Sequence, residues 1–180
     1  MSANVLFVCT ANQCRSPMAE VICRDAAARR GVAIAVGSAG FLPGGEPASD
    51  GAETVVAKRR LDLGDHESRS IDQVDLAAVD LTICMERDHL VRLVTDHHVP
   101  LHRVLLAGEV AGRLTDAPPI RGEGLEAWLT RLDRTTADLL RAPASWEVAD
   151  PMGRSRRAYA ACAKRLDEVV ASLLDVLEVV

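Results

Sequence analysis

The sequence predicts a single α/β domain spanning residues 1–180, a three-layer arrangement in which helices flank a four-stranded parallel sheet. Two observations support this prediction. Short apolar, β-rich runs alternate with stretches of helical periodicity along the chain. A length of 180 residues suits one domain, and the chain has no internal repeat or low-complexity segment.

The first strand is predicted at residues 4–8 and the second at residues 32–36, because both runs are short, apolar and rich in β-branched side chains. The helix between them has a marked start and end. Ser16 is its predicted N-cap, Pro17 takes the first helical position, and Gly31 ends it. These elements form one strand–helix–strand unit, which joins neighbouring parallel strands.

The middle of the chain supplies the other half of the sheet. A helix at residues 49–61 leads through a polar link to a third strand at residues 81–85. A helix at residues 86–95 then leads to a fourth strand at residues 104–106. A Gly- and Pro-rich loop at residues 42–47 follows the second strand, where open α/β sheets place ligand-facing loops.

Two helical stretches close the chain. After a loop at residues 115–124, an extra surface helix is predicted within residues 125–140. The final helix, residues 155–177, has the clearest pattern, because apolar residues recur along it at helical spacing. Cys162 falls on that apolar stripe and is predicted to be core.

Composition narrows the possible classes of protein. A formal net charge of -5 argues against a nucleic-acid binder, which would carry a basic stripe. No apolar run is long enough for a membrane span, and no signal peptide is visible. Five cysteines form no disulfide framework, so we expect a reduced, cytoplasmic protein.

The most informative segment lies between the first strand and the first helix. It starts at Cys9 and reaches Arg15 after five residues, Thr10, Ala11, Asn12, Gln13 and Cys14. The loop amides and the positive end of the helix converge there, which predicts a cradle for a tetrahedral dianion. Arg15 adds a fork that fits phosphate, and the same field favours the thiolate of Cys9. The segment therefore predicts a phosphatase-type active site with a cysteine nucleophile.

Such chemistry also needs a proton for the leaving group. Asp150 is the candidate, because it precedes Pro151 in a loop entering the last helix and is remote enough in sequence to fold over the cradle. An ordinary aspartate at a helix entry is the alternative reading of the same residue. Ser16, besides its predicted role as N-cap, can face the cradle and hydrogen-bond the Cys9 thiolate.

The Cys9-x5-Arg15-Ser16-Pro17 motif resembles the low-molecular-weight protein tyrosine phosphatase family. Segments that match it in order are residues 38–40, 66–69, 83–85 and 150–151. The resemblance covers nearly the whole chain. It implies a flavodoxin-like fold and phosphomonoester hydrolysis through a cysteinyl-phosphate, with Asp150 as the general acid and base.

The same resemblance implies a polar network around Asn12, to which Ser38 and His66 would belong. Asn12 itself suits strained loop geometry, because Asn tolerates the left-handed region better than most residues. Cys14 has two readings: a redox partner that protects Cys9 as a disulfide, or a small buried support for the loop. No cofactor is implied, and no metal site is predicted, because the remaining histidines lack metal-ligand spacing.

The chain departs from the family pattern in two ways. Ala11 stands where the family usually has Gly, which would cost stability if that position needs a positive φ. Aromatic side chains are scarce around the cradle. Phe41 follows the matching segment at residues 38–40, but the segment at residues 150–151 is followed by Met152, which is not aromatic. A phosphotyrosine protein is the leading predicted substrate, and a non-aromatic or small-molecule phosphoester is the alternative. The sequence does not decide the oligomeric state.

Two rival functions share the cradle. A thiol-dependent arsenate reductase would need resolving cysteines, for which Cys84 is the only central candidate. A phosphate-binding module without catalysis would have no need of both Cys9 and Asp150.

Three arginines lie just past Asp150, namely Arg154, Arg156 and Arg157. They form either a solvated helix face or a patch that steers anions.

Overall fold

The computed structural model describes residues 2–180 of the chain. Four strands form one all-parallel sheet in the order β2-β1-β3-β4. They are β1 Ala3–Cys9, β2 Ile34–Gly40, β3 Leu81–Cys84 and β4 Val104–Leu106. The predicted four-stranded parallel sheet is confirmed.

Helices cover both faces of this sheet. They are α1 Arg15–Arg30, α2 Asp50–Ala57, α3 Arg87–Thr95, α4 Glu109–Asp116, α5 Leu125–Arg131, α6 Thr136–Leu140 and α7 Arg156–Leu177. In β1 the side chains of Val5 and Phe7 pack on the α1 and α7 side, and those of Leu6 and Val8 pack on the α3 side. All four are buried, because a parallel sheet with helices on both faces has no solvated side.

The centre of the sheet positions the loop that follows β1. The chain leaves β1 to pair β2 on one side, and later returns to pair β3 on the other side of β1. Such a reversal opens a crevice at the carboxyl ends of the strands, where ligands of open α/β sheets bind. Cys9 is the last residue of β1, so the loop begins in this crevice.

The second strand lies later in the chain than predicted. It pairs with β1 from Ala3↔Ile34 to Cys9↔Gly40, so residues 37–40 belong to the strand and residues 32–33 do not. Small residues are poor strand formers by propensity. Pairing with the central strand overrides that propensity here.

The first helix begins before Ser16, so the prediction that Ser16 is the N-cap is wrong. Helix α1 starts at Arg15 with Cys14 as its N-cap, and Gly31 ends it with a left-handed φ of 69°. Ser16 lies inside the first turn and is fully buried, with its hydroxyl engaged by other groups of the loop.

The C-terminal half differs from the prediction in two places. Helix α4 was not predicted, and the extra helix within residues 125–140 is two short helices, α5 and α6. Asp133, between them, has a positive φ of 45°, which a continuous helix cannot contain. The side chains of Leu139 and Leu140 lie outside the described part of the structure. In residues 2–180, no helix is both long and apolar enough to cross a membrane.

Candidate active site

The loop between β1 and α1 presents unpaired backbone donors. Within residues 2–180, the amide N–H groups of residues 11–16 donate to no backbone acceptor. Because α1 starts at Arg15, the positive end of its dipole opens on the same crevice. Unpaired amides beside a helix N-terminus form a binding site for an anion.

Cys9 lies at the floor of this loop. Its side chain is 2% exposed, and its Sγ is 3.1 Å from Ser16 Oγ. Ser16 Oγ in turn accepts a hydrogen bond of 2.9 Å from Asn12 Nδ2. This places the Ser16 hydroxyl proton within reach of a thiolate at Cys9, which it can stabilise.

Asn12 shapes the loop through three neighbours. Its φ is +54°, the left-handed conformation that its residue type tolerates. Its Nδ2 donates to Ser38 Oγ at 2.8 Å, and its Oδ1 accepts from the Arg69 backbone N–H at 2.8 Å. His66 Nε2 donates to the Asn12 carbonyl at 2.7 Å. The structure therefore brings Ser38 and His66 to the predicted network. The residue with a positive φ is Asn12 and not Ala11, so alanine at position 11 causes no such loss of stability.

The Arg15 side chain, 2% exposed, lies at the centre of the site. Its Nη2 donates to Asp150 Oδ2 at 2.9 Å, and its Nη1 donates to the Val148 carbonyl at 3.1 Å and to Glu86. Burial opposes its charged form, but the hydrogen bond to Glu86 and the nearby Cys9 and carboxylates outweigh burial and raise the pKa of Arg15. Its buried Nε has no partner within residues 2–180 and so keeps one donor for a ligand.

Asp150 joins the site from the far end of the sequence. Its Oδ2 faces Arg15, while its Oδ1 accepts the Met152 N–H at 3.1 Å. Its side chain is 45% exposed, so water and a leaving group can both reach it. The predicted nucleophile, anion-binding arginine and acid thus come together at one crevice.

Cys14 is buried behind the loop, against Ser49, Tyr159 and Met152. Its side chain is 3% exposed, with Sγ 2.9 Å from Ser49 Oγ and 3.6 Å from Tyr159 Oη. Burial is the main reason that the pKa of the Cys14 thiol is raised, although both hydroxyls lower it. Gln13 next to it accepts the Ser49 backbone N–H at 2.9 Å through its carbonyl. These contacts favour the supporting role for Cys14, and its redox role remains a prediction.

Two side chains at the site were not predicted from the sequence. Glu86, which pairs with Arg15, lies just beyond the carboxyl end of β3. Its place after a predicted strand could have indicated a site residue, because open α/β sheets bind ligands at the carboxyl ends of their strands. His89 Nε2 is 3.0 Å from Thr10 Oγ1, and burial is the main cause that lowers the pKa of His89 to about 4. No motif in the sequence marks His89, because its position follows from the packing of α3.

The exposed hydrophobic side chains beside the Cys9 loop are not aromatic. Phe41 stacks on His89 with ring centroids 5.5 Å apart and lies beneath the Arg92 guanidinium at 4.1 Å, so it packs on α3. Leu42 and Met152 are 48% and 43% exposed beside the loop. Among residues 2–180, no cluster of His, Cys, Asp and Glu side chains is arranged to hold a metal ion.

The fold and this crevice define a class of protein, the cysteine-dependent phosphatases. The family model described as low molecular weight phosphotyrosine protein phosphatase matches residues 4–117. The chain belongs to that family.

Three curated relatives are phosphatases. The chain is 33% identical over 156 residues to a low molecular weight protein-tyrosine-phosphatase of Streptomyces coelicolor, covering 79% of this chain and 94% of the relative. It is 36% identical over 91 residues to the low molecular weight protein-tyrosine-phosphatase YfkJ of Bacillus subtilis, covering 48% and 58%. It is 34% identical over 88 residues to a protein-arginine-phosphatase of the same organism, covering 48% and 57%.

A solved structure extends the similarity over the whole fold. The low molecular weight protein tyrosine phosphatase from T. tengcongensis superimposes with a TM-score of 0.74 at 29% identity, covering 96% of this chain and 98% of that one. The chain spans 58% and 57% of the two Bacillus relatives but nearly the whole of this structure. The similarity therefore includes the C-terminal segment that carries Asp150.

Proposed function

We propose that this protein hydrolyses phosphotyrosine in proteins through a cysteinyl-phosphate intermediate. The observation that carries the proposal is the arrangement around Arg15. Its Nη2 is 2.9 Å from Asp150 Oδ2, and its Nε is left without a partner within residues 2–180 beside the Cys9 loop. One guanidinium thus links the acid to the anion cradle.

In the first step, the Cys9 thiolate attacks phosphorus, and the bond from phosphorus to the tyrosyl oxygen breaks. The loop amides of residues 11–16 and Arg15 stabilise the charge on the equatorial oxygens. Asp150 gives its proton to the leaving oxygen, which departs as the neutral phenol. Phosphate binding supplies Arg15 with an acceptor in place of Asp150, which leaves the carboxyl group to face the leaving oxygen.

In the second step, the carboxylate of Asp150 takes a proton from water, and the oxygen of that water attacks phosphorus. The bond from sulfur to phosphorus breaks and releases inorganic phosphate. Ser16 Oγ, 3.1 Å from Cys9 Sγ, donates to the departing thiolate. Asn12, Ser38 and His66 are positioning residues, because they hold the loop that supplies the amides.

The proposed substrate class rests on two exposed side chains beside the loop. Leu42, whose N–H donates to the Thr10 carbonyl, and Met152, whose sulfur is 3.8 Å from Cys14 Sγ, offer apolar contact to a flat ring, and methionine sulfur packs well against aromatic faces. A non-aromatic phosphorylated side chain would gain less from them. The arsenate-reductase alternative is disfavoured, because Cys84 is fully buried in β3 and burial raises the pKa of its thiol.

The compartment follows from the chemistry. A free Cys9 thiol is required at each turnover, and cytoplasmic reductants keep thiols free. We therefore place the protein in the cytoplasm. A fractionation experiment that found it in an oxidising compartment would contradict this assignment.

The proposal is tested with p-nitrophenyl phosphate and a panel of phosphorylated peptides. Wild-type protein should hydrolyse p-nitrophenyl phosphate and a phosphotyrosine peptide, with lower kcat/KM on phosphoserine and phosphoarginine peptides and on sugar phosphates. Cys9→Ser should lower kcat by at least about 10⁴-fold because the hydroxyl is a far weaker nucleophile, while phosphate still binds. The control Cys23→Ala, a buried cysteine on α1, should keep wild-type activity. Wild-type turnover by Cys9→Ser would exclude the cysteinyl-phosphate mechanism. A higher kcat/KM on the phosphoarginine peptide would exclude phosphotyrosine as the preferred substrate.

A further inference from the structure

A group of arginines beside the proposed acid has no partner within the described protein. Arg154, Arg156 and Arg157 are exposed, and none forms an ion pair within residues 2–180. Many other arginines of this acidic chain do pair with carboxylates. Examples are Arg29 with Asp25, Arg30 with Asp175, Arg103 with Glu126 and Arg131 with Glu123. The charge near Asp150 is therefore left available for another molecule.

The placement of Arg156 and Arg157 works against the helix that they begin. Helix α7 begins at Arg156 with Ser155 as its N-cap, and its first turn contains no acidic residue. The positive end of a helix dipole favours carboxylates and disfavours cations. A local choice that opposes helix stability is expected where function requires it.

Arg154 is continuous with the active site, because it lines one cavity together with Asp150. The Arg154 backbone N–H donates to the Pro151 carbonyl at 2.9 Å, in a turn where Gly153 has a φ of +69°. This turn ties Arg154 to the segment that carries Asp150. On the other flank, Arg156 lines a cavity of about 290 Å³ together with Lys58, which is also exposed and unpaired within residues 2–180.

The other charged groups of this cavity are largely engaged. Arg59 also lines it but is bound to Asp167 at 3.0 Å. Asp50 is the carboxylate among the lining residues and lies in the first turn of α2, where the helix dipole favours it. The unbalanced charge of the region is therefore positive.

We propose that Lys58, Arg154, Arg156 and Arg157, here named the basic rim, dock acidic side chains that flank the phosphorylated residue of a protein substrate. This inference rests on the proposed function and narrows its substrate class. Guanidinium groups match carboxylates with paired hydrogen bonds, and a net charge of -5 repels acidic segments elsewhere on the surface. The rim therefore both attracts an acidic phosphopeptide and orients it toward the crevice.

The test compares two phosphotyrosine peptides of equal length, one with Asp and Glu around the phosphotyrosine and one with Asn and Gln. The measurement is kcat/KM for wild type and for the triple variant Arg154→Gln/Arg156→Gln/Arg157→Gln, with p-nitrophenyl phosphate as a substrate without flanking residues. The matched control removes three charges near the amino ends of the strands, away from the crevice at their carboxyl ends, as Arg103→Gln/Arg121→Gln/Arg131→Gln.

Wild type should prefer the acidic peptide by about tenfold at low ionic strength, and salt should weaken this preference. The rim variant should lose it while its kcat/KM on p-nitrophenyl phosphate stays within about twofold of wild type. The control variant should keep the preference. Equal kcat/KM of wild type on the two peptides, or a preference that survives in the rim variant, overturns the inference and leaves the proposed function intact. Hydrolysis of p-nitrophenyl phosphate but of neither peptide shows that the proposed substrate class itself is wrong, and the inference then falls with it.

Discussion

Asp150 and Arg15 meet across 135 residues of sequence at 2.9 Å, and this contact is the residue-scale basis of the proposed mechanism. Asp150 is half-exposed while the guanidinium is buried. The arginine can therefore hold the anion inside the crevice while the acid stays at its mouth. A proton donor at the mouth matters in proportion to how poorly the substrate oxygen leaves.

Replacing Asp150 should therefore affect substrates unequally. Asp150→Asn should lower kcat by about 10² to 10³-fold on phenyl phosphate, whose leaving oxygen needs a proton, and by much less on p-nitrophenyl phosphate. The measurement is kcat across a series of aryl phosphates, plotted against the pKa of the leaving phenol. Glu147→Gln, in the same segment, is the control and should keep the wild-type slope. Equal losses on all leaving groups would contradict Asp150 as the acid.

His89 gives a pH dependence at the same scale. Its pKa is lowered to about 4 by burial, whereas in the unfolded chain it titrates near the ordinary value of about 6.5. Above that ordinary value neither state binds the proton, so stability is unaffected. As the pH falls from there to about 4, the unfolded state binds the proton first, and the free energy of unfolding falls by roughly 3 kcal/mol in all.

Urea unfolding of wild type and His89→Asn between neutral pH and about pH 4 measures this effect. The variant should lose less stability on acidification than wild type. The exposed His98→Asn, at a positive φ of 55° that Asn tolerates, should follow the wild-type curve. Parallel curves for wild type and His89→Asn would contradict the lowered pKa of His89.

At the scale of elements, the end of β2 determines the position of the Cys9 loop. A Cβ at Gly40 would lie 2.7 Å from the Asn12 backbone nitrogen and 2.8 Å from the Thr10 carbonyl. Only glycine allows the strand to approach the loop this closely. The amide positions in the cradle therefore depend on a packing contact between two elements.

Gly40→Ala should displace the loop and lower kcat/KM on p-nitrophenyl phosphate by at least about 10²-fold, because misplacement by an ångström costs that much. Gly37→Ala on the same strand is the matched control. Its Cβ would approach the flexible end of Arg69 at 3.3 Å and Leu6 Cδ1 at an ordinary contact distance of 3.8 Å, and its activity should stay within about threefold of wild type. Wild-type activity in Gly40→Ala would contradict the close approach.

At the scale of the whole molecule, a buried ion pair connects the segment between α5 and α6 to the sheet. Arg134 and Glu109 are 2.7 Å apart with both side chains fully buried, and Arg134 also donates to the Leu101 carbonyl at 2.7 Å and to the Val104 carbonyl. The Leu106 N–H donates to Glu109 at 3.2 Å. The pair thus connects the segment between α5 and α6 with α4 and β4.

Arg134→Met should lower the free energy of unfolding by about 3 kcal/mol, because the buried Glu109 carboxylate loses its closer partner and retains Arg113, at 3.0 Å. Urea denaturation measures this loss, and adding Glu109→Gln should restore part of it. Arg131→Met breaks a more exposed pair with Glu123 and should cost under about 1 kcal/mol. A loss of that small size in Arg134→Met would show that the pair contributes little.

The sequence by itself determined the parallel sheet, the Cys9 loop and the family. Strand periodicity, the helix stop at Gly31 and the Cys9-x5-Arg15 spacing are local features, because each depends on residues close together in the chain. The same locality explains why Asn12 could be predicted in a strained conformation. The roles of the site residues remain proposals to be tested by the substitutions above.

Only the tertiary structure decided which distant groups complete the crevice. Glu86 and the Val148 carbonyl bind Arg15, and His89 contacts Thr10, through packing across three layers that leaves no periodic trace in the sequence. Pairing with β1 likewise moved β2 to residues 34–40 against local propensity. The chemistry could be predicted because its residues lie together in one short loop. The environment of that loop could not, because it depends on contacts between residues far apart in the chain.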